Sequence, residues 1–157
     1  MYGDLLVYGL AGGLAIALLH AAYTDLKRRE IENWLCAGIA LAAPLFWWAS
    51  GLSPWPDMAI QLGVGLATFG LFAIFFAMGA MGGGDVKLLA AIALWLPWQV
   101  LVVLIVIMSI LGGLLTLVMA IEHRIRRRKG QLEVPYGVAI ALAGLWVLGE
   151  RYLNHFI

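Results

Sequence analysis

The sequence predicts an all-α integral membrane protein, a bundle of about six transmembrane helices, one of them short. Three observations carry this. First, 64% of the 157 residues are hydrophobic and 12% are charged, with a mean hydropathy of +0.96. Soluble domains run at about 45–50% apolar and about 25% charged, and a soluble fold of this length has no interior large enough for so much apolar surface. Second, with lipid as the solvent every backbone polar group needs an internal partner, which leaves helix bundles or closed barrels. Third, the apolar runs are long and do not alternate, which favours helices over a barrel.

A span needs roughly 20 apolar residues. The sequence places spans at residues 5–24, 34–50, 58–78, 100–121 and 134–152. A further apolar stretch, from Leu88 to Trp98, is short. At 1.5 Å per residue it covers about 16 Å, half a bilayer core, so it reads as a half-helix or as a helix ending in a thinned or watery site. Between the spans lie a charged stretch (25–33), a turn with Pro54 and Pro56 (51–57), a glycine-rich connection (79–87) and a basic loop (122–133). No composition shift or repeat divides the chain, so residues 1–157 are expected to form a single domain. Asp4 is the only charge before the first apolar run, so that run is expected to be a permanent helix rather than a cleaved signal. The single cysteine, Cys36, excludes a disulfide framework or a cysteine zinc site. The net charge of +1 carries no signature of nucleic-acid binding.

Orientation follows from the Lys and Arg near the span ends. With the N-terminus outside, nine of the ten basic residues fall on the cytoplasmic side and only Arg151 lies outside. Asp25 and Asp85 then both reach the cytoplasmic membrane boundary. The basic run from Arg124 to Lys129 is expected to contact anionic lipid. The tryptophans are expected to form an aromatic belt, mainly at the outer ends. Gly12, Gly13, Gly63, Gly65, Gly112 and Gly113 are expected to let helices pack closely.

Two acids carry the chemistry. Asp85 follows Gly82, Gly83 and Gly84 and opens an apolar helix. The plain structural reading is an N-cap, but a carboxylate near the membrane is costly and reads as functional by default. Asp25 closes the first span before Lys27, Arg28 and Arg29. Alone it reads as an interfacial charge, although an acid at a helix C-terminus sits at the wrong end of the dipole. Together the two change the balance, because the topology puts both on one side at similar depth. Two close carboxylates do not both ionise easily, so one keeps a proton. One can then activate a water while the other donates to a substrate carbonyl, which is aspartic-peptidase chemistry. The helix ends favour Asp85 as base and Asp25 as acid.

These residues resemble the type IV prepilin peptidases. The second motif reads Gly82-Gly83-Gly84-Asp85-Val86-Lys87-Leu88, and the first reads Thr24-Asp25-Leu26-Lys27-Arg28-Arg29-Glu30-Ile31-Glu32-Asn33, with 60 residues between the aspartates. Pro135-Tyr136-Gly137, opening the last span, is also similar to the family. The resemblance implies an intramembrane-type aspartic endopeptidase of the GxGD kind in the bacterial inner membrane. It would remove the basic leader of type IV prepilins or pseudopilins at the cytoplasmic face, leaving the substrate's hydrophobic helix in the membrane. It implies Asp25 and Asp85 as catalytic residues and no metal or cofactor. Gly82, Gly83, Gly84, Lys87, Pro135 and Tyr136 are the supporting or substrate-binding candidates. Glu32 stands where family members often carry proline. The chain resembles the short form without the cysteine-bearing methyltransferase region, so no methyltransferase activity is expected.

Other residues have weaker claims. Lys87 is a candidate to tune Asp85 or bind substrate, or equally a positive-inside anchor. Asn33 reads as an N-cap and Tyr136 as an interfacial aromatic. His20, His123 and His155 form no ligand spacing. Two other functions fit the same acids: a small proton- or cation-coupled transporter, and a non-catalytic subunit of a pilus or secretion machine. No His-Glu-x-x-His motif is present, and Ser109 has no activated partner nearby in sequence.

Overall fold

The computed structural model describes residues 2–125 and 134–154. Six helices follow in order: α1 (Tyr2–Arg28), α2 (Asn33–Ala49), α3 (Ala59–Ala77), α4 (Gly83–Ala93), α5 (Trp98–Ile125) and α6 (Tyr136–Gly149). There is no strand among the described residues. The all-α expectation therefore holds. Three segments are long and apolar enough to cross a membrane, Gly3–Arg28, Pro54–Ala77 and Trp98–Ile125, and α2 is a shorter apolar helix. The chain is a multi-pass membrane protein. Its outward faces carry bare aliphatic side chains such as Leu41, Ile16, Ile110 and Leu66, as a lipid-facing surface requires.

The two shortest helices stand in the middle. α6 packs against α1, α5 and α4, while α4 packs against α3, α2 and α6. Leu88, Leu89 and Ala93 of α4, and Ile140, Ala141, Ala143 and Val147 of α6, are fully enclosed. That explains how an 11-residue helix is tolerated: its ends meet protein rather than hydrocarbon, so their free backbone groups find partners. At the C-terminal end the partners are side chains of α3 and α2. Gln61 Nε2 donates to the carbonyls of Ala93 (2.8 Å) and Leu96 (2.6 Å). Trp47 Nε1 donates to the Leu94 carbonyl (2.6 Å), and Trp95 Nε1 donates to the Ile39 carbonyl (2.9 Å).

Several expectations need correction. α4 begins at Gly83 rather than Leu88, so two glycines that read as loop are helical. α1 runs through Asp25 to Arg28, one turn beyond the expected span. Trp47 and Trp95 are buried pins between α2 and α4 rather than belt residues. Asn33 is the first residue of α2, and Glu32 holds the N-cap position without a side-chain cap. Gly65 and Gly112 do face close neighbours, whereas Gly12, Gly13, Gly63 and Gly113 face open space. His155 and most of the basic loop (126–133) lie outside the described residues.

Replacing Gln61 with leucine strands two buried carbonyls at the end of α4. A loss of about 1–2 kcal/mol is expected, read as a lower thermal unfolding midpoint of the purified protein in detergent.

Candidate active site

Both aspartates are buried, Asp25 at 5% and Asp85 at 8% exposure. Both line one open cleft of about 920 Å³, bounded by the 28–33 connection, the 79–84 connection, Thr116 and Tyr136. The fold thus brings together two acids that lie 60 residues apart in sequence.

Asp85 occupies the third position of α4, after the N-cap residue Gly82 and the helical Gly83 and Gly84. Its carboxylate folds back over the N-cap, and Oδ2 lies 2.8 Å from where a β-carbon of Gly82 would stand. An acid at this position faces the free amides of the first turn. The glycines around it are there for contact. Gly83 lies under the ring of Phe76, and a β-carbon on Gly84 would meet the Ile31 side chain at 3.1 Å.

Asp25 lies in the last turn of α1 but is completed by α6. Its Oδ2 accepts a hydrogen bond from the Val138 amide (3.1 Å) in the first turn of α6, which also donates to the Pro135 carbonyl (3.2 Å). This approach requires Gly137, whose β-carbon would stand 2.8 Å from Asp25 Oδ2 and 2.6 Å from Ile31 Cδ1. Pro135 takes the N-cap position of α6 and is buried, setting the chain direction into that contact. Both carboxylates therefore face a helix N-terminus, Asp85 that of its own helix and Asp25 that of α6. The helix-end argument that set the two acids apart took α1 alone into account and does not distinguish them in the folded chain.

The other candidates are placed as follows. Tyr136 lines the cleft with its ring packed on Gly112, where a β-carbon would come within 2.7 Å of it. Its hydroxyl lies 3.5 Å from Thr116 Oγ1, which itself donates to the Gly112 carbonyl (2.7 Å). Lys87 does not line the acid cleft. Two positions along a helix turn a side chain by roughly 200°, and its Nζ donates instead to Asn33 Oδ1 (2.8 Å). Glu32, in the position where the resemblance expects proline, accepts from His20 Nε2 at 3.1 Å and lies 3.7 Å from Arg28 Nη1. Arg29, directly after α1, lies in the left-handed region, with φ of 58°. This uncommon backbone for a non-glycine residue turns the chain so that Ile31 enters the interior.

Ile31 and Thr116 were not singled out by the sequence. Ile31 is 8% exposed and touches both Gly84 and Gly137. Its only signal is an apolar residue between two glutamates in an otherwise charged connection.

Comparison with known proteins places the chain. The sequence pattern of the type IV leader peptidase family matches residues 13–117. The chain belongs to this family. It is 35% identical over 81 residues to a prepilin leader peptidase/N-methyltransferase of Pseudomonas aeruginosa, covering 52% of this chain and 27% of that protein. It is 25% identical over 154 residues to the protein of the same description from Aeromonas hydrophila, covering 92% of this chain and 52% of the relative. It is also similar to that of Legionella pneumophila, at 32% identity over 89 residues. The chain spans about half the length of these relatives, or less. No solved structure matches it.

The geometry predicts that Gly137→Ala pushes the Asp25 carboxylate off the Val138 amide and displaces Ile31, lowering stability by about 1–3 kcal/mol. Gly12→Ala, which meets open space, is expected to leave the unfolding midpoint unchanged or higher. Paired thermal unfolding of the two variants checks this.

Proposed function

We propose that this chain is an aspartic endopeptidase that removes the basic leader peptide from type IV prepilins or pseudopilins, with Asp25 and Asp85 as its catalytic pair. The observation that carries the reading is the burial of both carboxylates at the wall of one open cleft. Family membership supports it, as do the relatives described as prepilin leader peptidases.

In the proposed reaction one carboxylate takes a proton from a water as the water oxygen attacks the scissile carbonyl carbon. The other, protonated, donates to the carbonyl oxygen. Collapse of the tetrahedral diol breaks the C–N bond, and the departing amine takes a proton from the pair. The Val138 amide holds the Asp25 carboxyl, and Gly82 to Gly84 let α4 start close enough for Asp85 to share the cleft.

Residues 1–157 would act as one peptidase domain in the bacterial inner membrane, with the N-terminus outside and the cleft open to the cytoplasm. The excess of Lys and Arg at the 25–33 and 122–133 connections supports this orientation. The acids line a cleft shared with the charged 28–33 connection and the glycine-rich 79–84 connection, which favours a peptidase over a proton- or cation-coupled transporter.

Two measurements test the reading. Co-expressed with a prepilin from the same genome, the wild type is expected to shorten it to the leaderless product. Asp25→Asn and Asp85→Asn are each expected to lose at least about 100-fold in trimming while inserting normally, as read by gel mobility; substantial trimming by either variant alone rules out the pair. For orientation, in a Cys36→Ala background Ser53→Cys is expected to react with an impermeant maleimide in intact spheroplasts, and Glu30→Cys only after lysis. The reverse pattern overturns the topology.

A further inference from the structure

α3 packs on α4 and on the Pro54–Met58 turn before it, and far less on α2. This leaves a slot between α2 and α3, floored by α4, of about 420 Å³. Three helices turn one stripe each into it. α2 gives Asn33, Ala37 and Ala40; α3 gives Leu62, Leu66 and Phe69; α4 gives Lys87, Ala91 and Leu94. Each stripe keeps the three- and four-residue spacing that makes one helix face, so the slot has the shape of a site for a fourth, neighbouring helix.

The slot adjoins the acid cleft, with Asn33 lining both. At that junction the lining is polar: Asn33 and Lys87 are hydrogen-bonded across it at 2.8 Å. Further along, the lining is apolar. The far end is closed by the crossing of α3 on α4, where Leu94 packs on Gly65 and Gln61 binds the end of α4. On the other side of the bundle, α6 packs on both α1 and α5. A chain cut in the cleft and continuing as an apolar helix must leave the cleft towards lipid, and this slot begins beside it at Asn33.

We propose that the groove between α2 and α3 seats the first turns of the substrate's apolar helix, with the Asn33–Lys87 pair marking where the substrate passes from cleft to groove. This rests on the peptidase reading and adds to it a path for the part of the substrate that is kept. Asn33 then faces the start of the substrate's apolar helix, where the first backbone N–H groups have no partner within the helix and need an acceptor such as its side-chain oxygen. The alanines of α2 and α4 allow the close approach that helix pairing in lipid uses.

Site-directed disulfide formation in native membranes tests this with the full-length protein. The probe is a co-expressed membrane substrate with a basic leader, a glycine and an apolar helix, carrying one cysteine within the first two turns of that helix. In a Cys36→Ala background, the exposed positions Ala37 and Leu66 are changed singly to cysteine, with Ile110→Cys on the lipid-facing side of α5 as reference. Adducts with the substrate at Ala37→Cys and Leu66→Cys, and none at Ile110→Cys, are expected. Equal adducts at all three positions, or none at the two groove positions while the wild type still trims the substrate, overturn the groove and leave the peptidase reading standing. Absence of trimming by the wild type overturns both. Disulfides between two copies of the protein at Leu66→Cys, or labelling of both positions by a photoactivatable phospholipid that substrate does not reduce, assign the groove to a second copy or to lipid and overturn the proposal.

Discussion

A carboxylate enclosed in a membrane protein has to be met by protein dipoles, and in this chain the backbone meets it. The Val138 amide reaches the Asp25 carboxylate across the packed pair of α1 and α6. Everything near the cleft is arranged to let that contact form. Pro135 sets the entry to α6, Gly137 removes the side chain that would block the approach, and Tyr136 is turned away onto Gly112. A short side chain at the end of one helix thereby fixes the start of another that lies more than a hundred positions later in sequence.

The second organising feature is the inversion of helix length and position. Long apolar helices stand outside, where lipid requires full spans. The short helices α4 and α6 stand inside, where protein supplies the partners their ends need. The starts of both helices line the same cleft. An acid there is enclosed by the surrounding helices. The tight pinning of α4 at its far end, by Gln61 and Trp47, fixes its position from the end opposite the acid.

Much of this was legible in sequence. The apolar runs located all six helices, because the membrane demands length and composition rather than detail. Asp25, Asp85 and the glycines before Asp85 stood out because acids and consecutive glycines are rare in such a chain. What sequence could not show depends on rotation and approach. Lys87 looks adjacent to Asp85 in the string, yet two residues along a helix point in different directions, and it faces Asn33. Glycines at positions 12, 63 and 65 look equivalent, but only Gly65 meets a neighbour. The glycines opening α4 read as loop from intrinsic propensity, and tertiary packing overrode it. Ile31 gave no signal, since its importance lies wholly in what surrounds it.

That residue has a consequence for the acids themselves. Ile31 lies between Gly84 at the start of α4 and Gly137 at the start of α6, in contact with both. Ile31 fills the space between the two helix starts, like a shim between two plates. A narrower residue at that position would draw the plates together and a wider one would part them, with neither acid altered. The spacing of the two helix starts thus meets a residue with no chemistry of its own.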